Sequence, residues 1–184
     1  MYLDKDNFET GENDDLFIEP SDKNLRDVIL NILIAGRDTT ANALSWAFYR
    51  LCIHPEIQLK IRQEVSEVLN SKDSNRSGFL NYEKVSALKY TEAFVMEVLR
   101  LHPSVPKEAK TVLKDDVLPD GTVVKRGDVV CFLPWAMGRD PKLWDDPLEF
   151  KPERFLDKPK PSPFIYTAFQ VCINILFIYI FYYS

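Results

Sequence analysis

Cysteine, histidine and glycine are scarce in this chain. The three cysteines, Cys52, Cys131 and Cys172, lie far apart with no C-x-x-C pair, and His54 and His102 are the two imidazoles. Such a set supplies neither a disulfide framework nor a structural zinc site, and it fits a reducing compartment. The six glycines form no G-x-G-x-x-G, no Walker-type loop and no G-x-S-x-G, so dinucleotide, nucleotide and serine-hydrolase readings have no footing. Basic charge is also short: 23 Lys and Arg stand against 28 Asp and Glu, the net charge is -5, and no basic stripe occurs. Nucleic acid is therefore not an expected partner. Residues 1–20 contain neither a signal peptide's apolar region nor an anchor helix, and they read as a flexible acidic lead-in.

What remains is the composition of a globular protein, 46% hydrophobic and 28% charged over 184 residues, enough for one domain with a core. Residues 21–52 predict one long helix. Ser21 follows Pro20 and can cap it, Asp22 and Asp27 lie near the positive end of the dipole, and His54-Pro55 marks the stop. Apolar residues from Leu25 through Leu51 fall on nearly every side, which predicts a buried central helix. In its middle Ala35-Gly36-Arg37-Asp38-Thr39-Thr40 interrupts the apolar run. Gly36 costs about 1 kcal/mol against alanine in a helix interior. Thr39 can turn its hydroxyl back on the carbonyl of Ala35. The expected result is a polar notch with room for water or a small ligand, although a packing glycine beside self-satisfied threonines explains the hexapeptide equally well.

Pro55 suits a first helical position, and Ile57, Ile61, Val65, Val68 and Leu69 then repeat at helical spacing on one side. A polar loop follows at 71–78. Asn81 can cap a short turn, and a third long helix ends before Pro103. From Lys110 the period changes: β-branched runs at 111–113 and 122–124 bracket the turn sequence Leu-Pro-Asp-Gly, and a further run follows at 129–134. The fold class predicted is mainly α with a small antiparallel β-sheet. Residues 135–144 look like a short helix, and the proline-rich, charged stretch after it reads as an irregular segment on the outside. Residues 171–184 carry no charge, fall short of the roughly 18 to 20 residues that cross a bilayer, and form an aggregation-prone apolar tail.

Glu97 and Arg100 stand three apart on the third helix and share a face. On so apolar a helix the pair should be buried, and a buried pair needs further hydrogen bonds. Arg154, in Pro152-Glu153-Arg154-Phe155, can supply a third partner.

These residues resemble a family. A-G-R-D-T-T at 35–40, E-V-L-R at 97–100, R-L-H-P at 100–103 and P-E-R-F at 152–155 occur in the order and spacing of cytochrome P-450, the haem-thiolate monooxygenases. The L-P-D-G-T turn and the A-M-G-R segment are most similar to the plant branch that hydroxylates fatty acids at or near the ω end. The resemblance covers residues 24–170 and implies a partial P-450 fold over 21–170. It gives Asp38 and Thr39 a proton relay, Thr40 a supporting hydrogen bond, and Ala35 and Gly36 the oxygen pocket on the distal side of a haem. Glu97, Arg100 and Arg154 become a structural triad, and residues 107–110 fall where the family lines its substrate channel. An NADPH-dependent reductase, a lipid-like substrate and an endoplasmic reticulum membrane are implied for the intact family.

The haem loop of the family, F-x-x-G-x-R-x-C-x-G, begins correctly at Phe169 and then departs. Cys172 holds the first glycine position, Asn174 the arginine position, Leu176 the cysteine position and Ile178 the last glycine position. Cys172 is the one nearby candidate for iron, and without the loop-shaping residues a buried or aggregated thiol is the expectation. The change of character after Gln170 predicts a truncated chain, inactive alone, not binding the haem that the family carries, and either cytoplasmic or weakly membrane-associated. The competing reading is a non-catalytic helical protein whose apolar tail contacts a membrane or a partner.

Overall fold

The computed structural model describes residues 21–70 and 81–168. Its elements run α1 (Asp22–Ile53), α2 (Pro55–Asn70), α3 (Tyr82–Ala87), α4 (Lys89–Leu101), β1 (Glu108–Thr111), β2 (Asp116–Val117), β3 (Val123–Val124), β4 (Val129–Phe132), α5 (Pro134–Met137) and a 3-10 helix (Pro152–Phe155). The chain is mainly helical with a little antiparallel sheet. Two compact units divide it, Met1–Gly36 and Arg37–Ser184. In the first, the Ser21 hydroxyl accepts from the amide of Asn24 at 3.2 Å and opens α1.

The expectation of a buried α1 does not hold, since none of its residues is buried. Leu25, Val28, Ile29, Leu30, Ile32, Leu33 and Ile34 are exposed, as are Leu44 and Phe48 further along. The physical reason is a shortage of cover. Among the described residues, only Ala47 and Leu51 of this helix pack against the hydrophobic cluster.

That cluster is Ile57 from α2 with Phe94 and Val98 from α4, bordered by Ile61, Tyr90 and Phe150. Phe94 and Phe150 meet edge to face with ring centroids 5.8 Å apart. Ile61, Val65, Val68 and Leu69 on the same side of α2 are half-buried. The α2 residue Glu64 also caps α4 from outside: its carboxylate accepts from the amides of Tyr90 at 2.6 Å and Thr91 at 2.9 Å and from the Thr91 hydroxyl at 2.7 Å. Two of the amides left bare at a helix start are thereby satisfied by a negative charge. Asn81 caps α3 by accepting from the Lys84 amide at 2.9 Å.

The strands form two separate two-stranded antiparallel sheets, β1 with β4 and β2 with β3. Pairing differs from the sequence expectation at the first run, where the strand is Glu108–Thr111 rather than 111–113. Val112 instead trades main-chain bonds with Asp128 and Gly127 at the end of the ladder, and Leu113 lies outside it. Gly121, at φ 87, makes the turn between β2 and β3, a conformation glycine adopts without strain. The helix expected over 135–144 is limited to Pro134–Met137, followed by turns. The proline-rich segment is irregular as expected but not wholly external: Pro152 is buried against α4.

Candidate functional site

Among the described residues, the densest polar arrangement is centred on α4. Glu97 and Arg100 point to one side, and both side chains are wholly buried. Arg100 meets the carboxylate with two parallel bonds, Nε to Oε2 at 2.7 Å and Nη2 to Oε1 at 2.8 Å. Its remaining donors go to main-chain carbonyls: Gly138, Pro147 at 2.8 Å and Glu149 at 3.1 Å. Glu97 Oε1 also accepts from the Lys151 amide at 2.8 Å and from Arg154 Nε at 3.4 Å. Arg154 in turn holds the carbonyls of Asp145 at 2.5 Å and Asp146 at 3.1 Å.

Charges taken out of water are tolerable only when their hydrogen-bonding capacity is spent, and here it is. The arrangement gathers the irregular chain from Gly138 to Arg154 around one helix. The Glu97 and Arg100 side chains at its centre are closed to solvent, and Arg154 at its edge is partly exposed.

The hexapeptide at 35–40 lies within α1. Ala35, Gly36 and Asp38 are exposed, Thr39 is half-buried and Thr40 is exposed. A methyl group at Gly36 would meet nothing within 4 Å. Asp38 pairs with Arg37 at 2.8 Å at the surface. Thr39 is met by the turn after α4, where the Ser104 hydroxyl donates to its carbonyl at 2.9 Å. Asn42 Nδ2 donates to the Ser104 carbonyl at 3.4 Å.

Beside this contact, His102 is buried with its ring stacked on Trp46, centroids 3.8 Å apart and planes 6° from parallel. Arg50 Nε and Nη2 lie 3.1 and 2.9 Å from His102 Nε2. Burial, and then the positive charges of Arg50, Arg139 and Arg100, push its pKa down to about 4. Asn42, Arg50 and Ser104 were not singled out by sequence reasoning, and Trp46 and His102 entered it without a contact between them. The signal was present, because Thr39, Asn42, Trp46 and Arg50 recur at three- and four-residue offsets along one stripe of a helix.

No cluster of three or more His, Cys, Asp or Glu able to hold a metal occurs among the described residues. Cys52 and Cys131 are exposed, and Cys172 lies outside the described residues. No described helix is long and apolar enough to cross a membrane.

The comparisons with known proteins agree on one family. The family model for cytochrome P450 matches residues 1–170. The chain belongs to the cytochrome P450 family. Cytochrome P450 704C1 of Pinus taeda is 46% identical over 165 residues, covering 82% of this chain and 32% of the relative. Cytochrome P450 704B1 of Arabidopsis thaliana is 39% identical over 184 residues, 86% of this chain and 35% of the relative. The cytochrome P450 monooxygenase cyp1 of Mycosarcoma maydis is 40% identical over 152 residues, 82% and 24% respectively. The chain thus spans about a third or less of the length of these relatives.

The P450 family implies haem, whose iron needs an axial side chain. The cysteines among the described residues, Cys52 and Cys131, are exposed and belong to no cluster of metal-binding side chains, so the described residues offer that iron no evident ligand.

Proposed function

We propose that this chain is a segment of a haem-dependent P450 monooxygenase that hydroxylates fatty-acid-like substrates. The observation that carries the reading is the pairing of a closed Glu97–Arg100–Arg154 network with a threonine-bearing notch held by Ser104, in a chain that matches the P450 family over residues 1–170. Glu97, Arg100 and Arg154 act as a structural triad that fixes the irregular segment ahead of residue 169.

When bound, haem supplies the oxygen chemistry. The chain's own residues manage protons and space. Asp38, exposed and paired with Arg37, takes a proton from solvent at its carboxylate once it leaves Arg37, and Thr39 passes it on at its hydroxyl. Thr40 supports that hydroxyl network, and Ala35 with Gly36 keeps the adjoining surface small. Residues 107–110 border the path of the substrate. The electron donor is an NADPH-dependent reductase at a membrane surface.

The test is a chimera in which residues 21–168 of this chain replace the matching stretch of a full-length plant P450, assayed beside the chain alone with a plant P450 reductase, NADPH and a long-chain fatty acid. The reading expects a thiolate-type Soret band under carbon monoxide and a hydroxy fatty acid from the chimera and neither from the chain alone, with the chimera's product per NADPH reduced by Thr39→Ala. Absence of both band and product from a correctly folded chimera overturns it. Equal product per NADPH from Thr39→Ala removes the relay alone.

A further inference from the structure

The second half of α1 has an orientation problem that its sequence creates. A helix with apolar residues on nearly every side has no strong hydrophobic preference for which face it turns inward. A shift of one residue rotates every side chain by about 100°, so some other interaction has to choose the face. The stripe Thr39, Asn42, Trp46 and Arg50 is the part of α1 that meets the turn after α4, and each contact is of a different kind. Ser104 donates to the Thr39 carbonyl at 2.9 Å, and Asn42 donates to the Ser104 carbonyl at 3.4 Å. Trp46 stacks on His102, and Arg50 presents two donors to His102 Nε2. Meanwhile Leu44 and Phe48, on other faces of the same turns, stay exposed.

The chemistry at His102 fixes its state. A guanidinium has donors only, so the ring nitrogen facing it must be the bare acceptor, and the single proton of a neutral ring sits on Nδ1. A proton on Nε2 would set an N–H against two N–H donors. The charged groups facing the ring from the neighbouring elements are Arg50 of α1, Arg100 of α4 and Arg139 after α5, all cationic.

We propose that His102 and Ser104 form a register latch that holds α1 against the α4–β1 turn at one rotation and one depth, with His102 working as a neutral Nδ1–H imidazole and Ser104 tying down the main chain of Thr39. The two ends of the latch, Thr39 and Arg50, are about 16 Å apart along the helix, far enough to define its direction as well as its rotation. The latch does not depend on the monooxygenase reading: it concerns where Thr39 stands, whatever its hydroxyl does.

Two measurements on the full chain test it. With ¹⁵N-labelled histidine and a His54→Gln variant for assignment, the latch expects His102 to show a protonated Nδ1 and an unprotonated Nε2, unchanged from pH 8 to pH 5.5. The opposite tautomer, or protonation with a midpoint at the ordinary imidazole value of about 6.5, overturns it. Amide exchange supplies the second readout. Ser104→Ala should speed exchange over residues 39–46 about fivefold, as loss of one neutral hydrogen bond would, and Ser104→Thr should restore protection. Equal protection in all three proteins overturns the part assigned to Ser104. Should Ser104→Ala also lose protection across α2, the variant has unfolded, and the wild-type tautomer decides.

Discussion

Gly138 gives Arg100 a carbonyl to bind and, at the same time, leaves the Arg100 carbonyl the space it occupies. The guanidinium donates to the Gly138 oxygen, while a Cβ built on Gly138 would collide with the main-chain carbonyl of Arg100. The end of α4 and the turn after α5 are thus pressed together backbone to backbone. Gly138→Ala should lower stability by roughly 3 kcal/mol or more, since a main-chain neighbour cannot rotate away as a side chain can. Urea unfolding followed by circular dichroism measures this, and a midpoint equal to wild type would mean the turn is free to move.

The network around Glu97 should be unusually intolerant of a substitution that keeps charge. Arg100→Lys preserves the positive charge but cannot reach Glu97 twice and the carbonyls of Gly138, Pro147 and Glu149 together. A loss of about 3 to 5 kcal/mol is expected, a large part of the roughly 5 to 15 kcal/mol of a typical domain. The exposed pair Lys60–Glu153, 2.6 Å apart, provides the contrast: Lys60→Gln should cost under about 1 kcal/mol. Comparable losses in the two variants would show that burial contributes little here.

Helix positions were readable from the sequence because periodicity, caps and proline stops are local properties. Ser21, Asn81 and Pro55 open their helices where their chemistry says they should. The burial of α1 was not readable, because all-round apolarity reports what a helix requires and not which neighbours are there to meet the requirement. Strand pairing was displaced for a related reason. Val112 and Val124 are β-branched and buried, but which one pairs with what depends on the turns at Gly121 and Gly127. At the site, the pairing of Glu97 with Arg100 follows from their spacing, whereas the contact of Ser104 with Thr39 joins residues 65 apart and has no local signature.

Glu64 should behave as a helix cap despite belonging to another helix. Its carboxylate accepts from two amides and a hydroxyl at the start of α4. Glu64→Ala is expected to cost about 1 to 2 kcal/mol, and Glu64→Gln less, since an amide oxygen still accepts but the charge facing the dipole is gone. Hydrogen exchange at Tyr90 and Thr91 should rise in the same order. Wild-type exchange in Glu64→Ala would show that water replaces the cap without loss.

Acid should weaken the fold partly through His102. Its pKa in the folded chain is lowered to about 4 from 6.5, chiefly by burial. The unfolded chain therefore takes up a proton first as pH falls. The stability linked to this group is fully present above about pH 6.5, declines between 6.5 and 4, and has been lost below 4. His102→Phe keeps a ring against Trp46 and removes the titration. Between pH 7 and 4.5 the urea midpoint of wild type should therefore fall further than that of the variant. Parallel declines would place the acid sensitivity in the carboxylates alone.

Gly36 separates stability from function more cleanly than any other position in the notch. It lies inside α1, its surroundings would accept a methyl group without contact, and alanine is favoured over glycine in a helix interior by about 1 kcal/mol. Gly36→Ala should therefore raise helix content and leave the chain slightly more stable. If Gly36 keeps space open beside the proposed oxygen site, the same substitution should lower product per NADPH in a chimera that carries residues 21–168 within a full-length plant P450. A glycine retained at a cost to stability is the expected mark of a position where function and packing disagree. Greater stability with unchanged product would assign Gly36 no part in the oxygen pocket, whereas lower stability would show that α1 bends at Gly36 and that the bend itself is what the glycine permits.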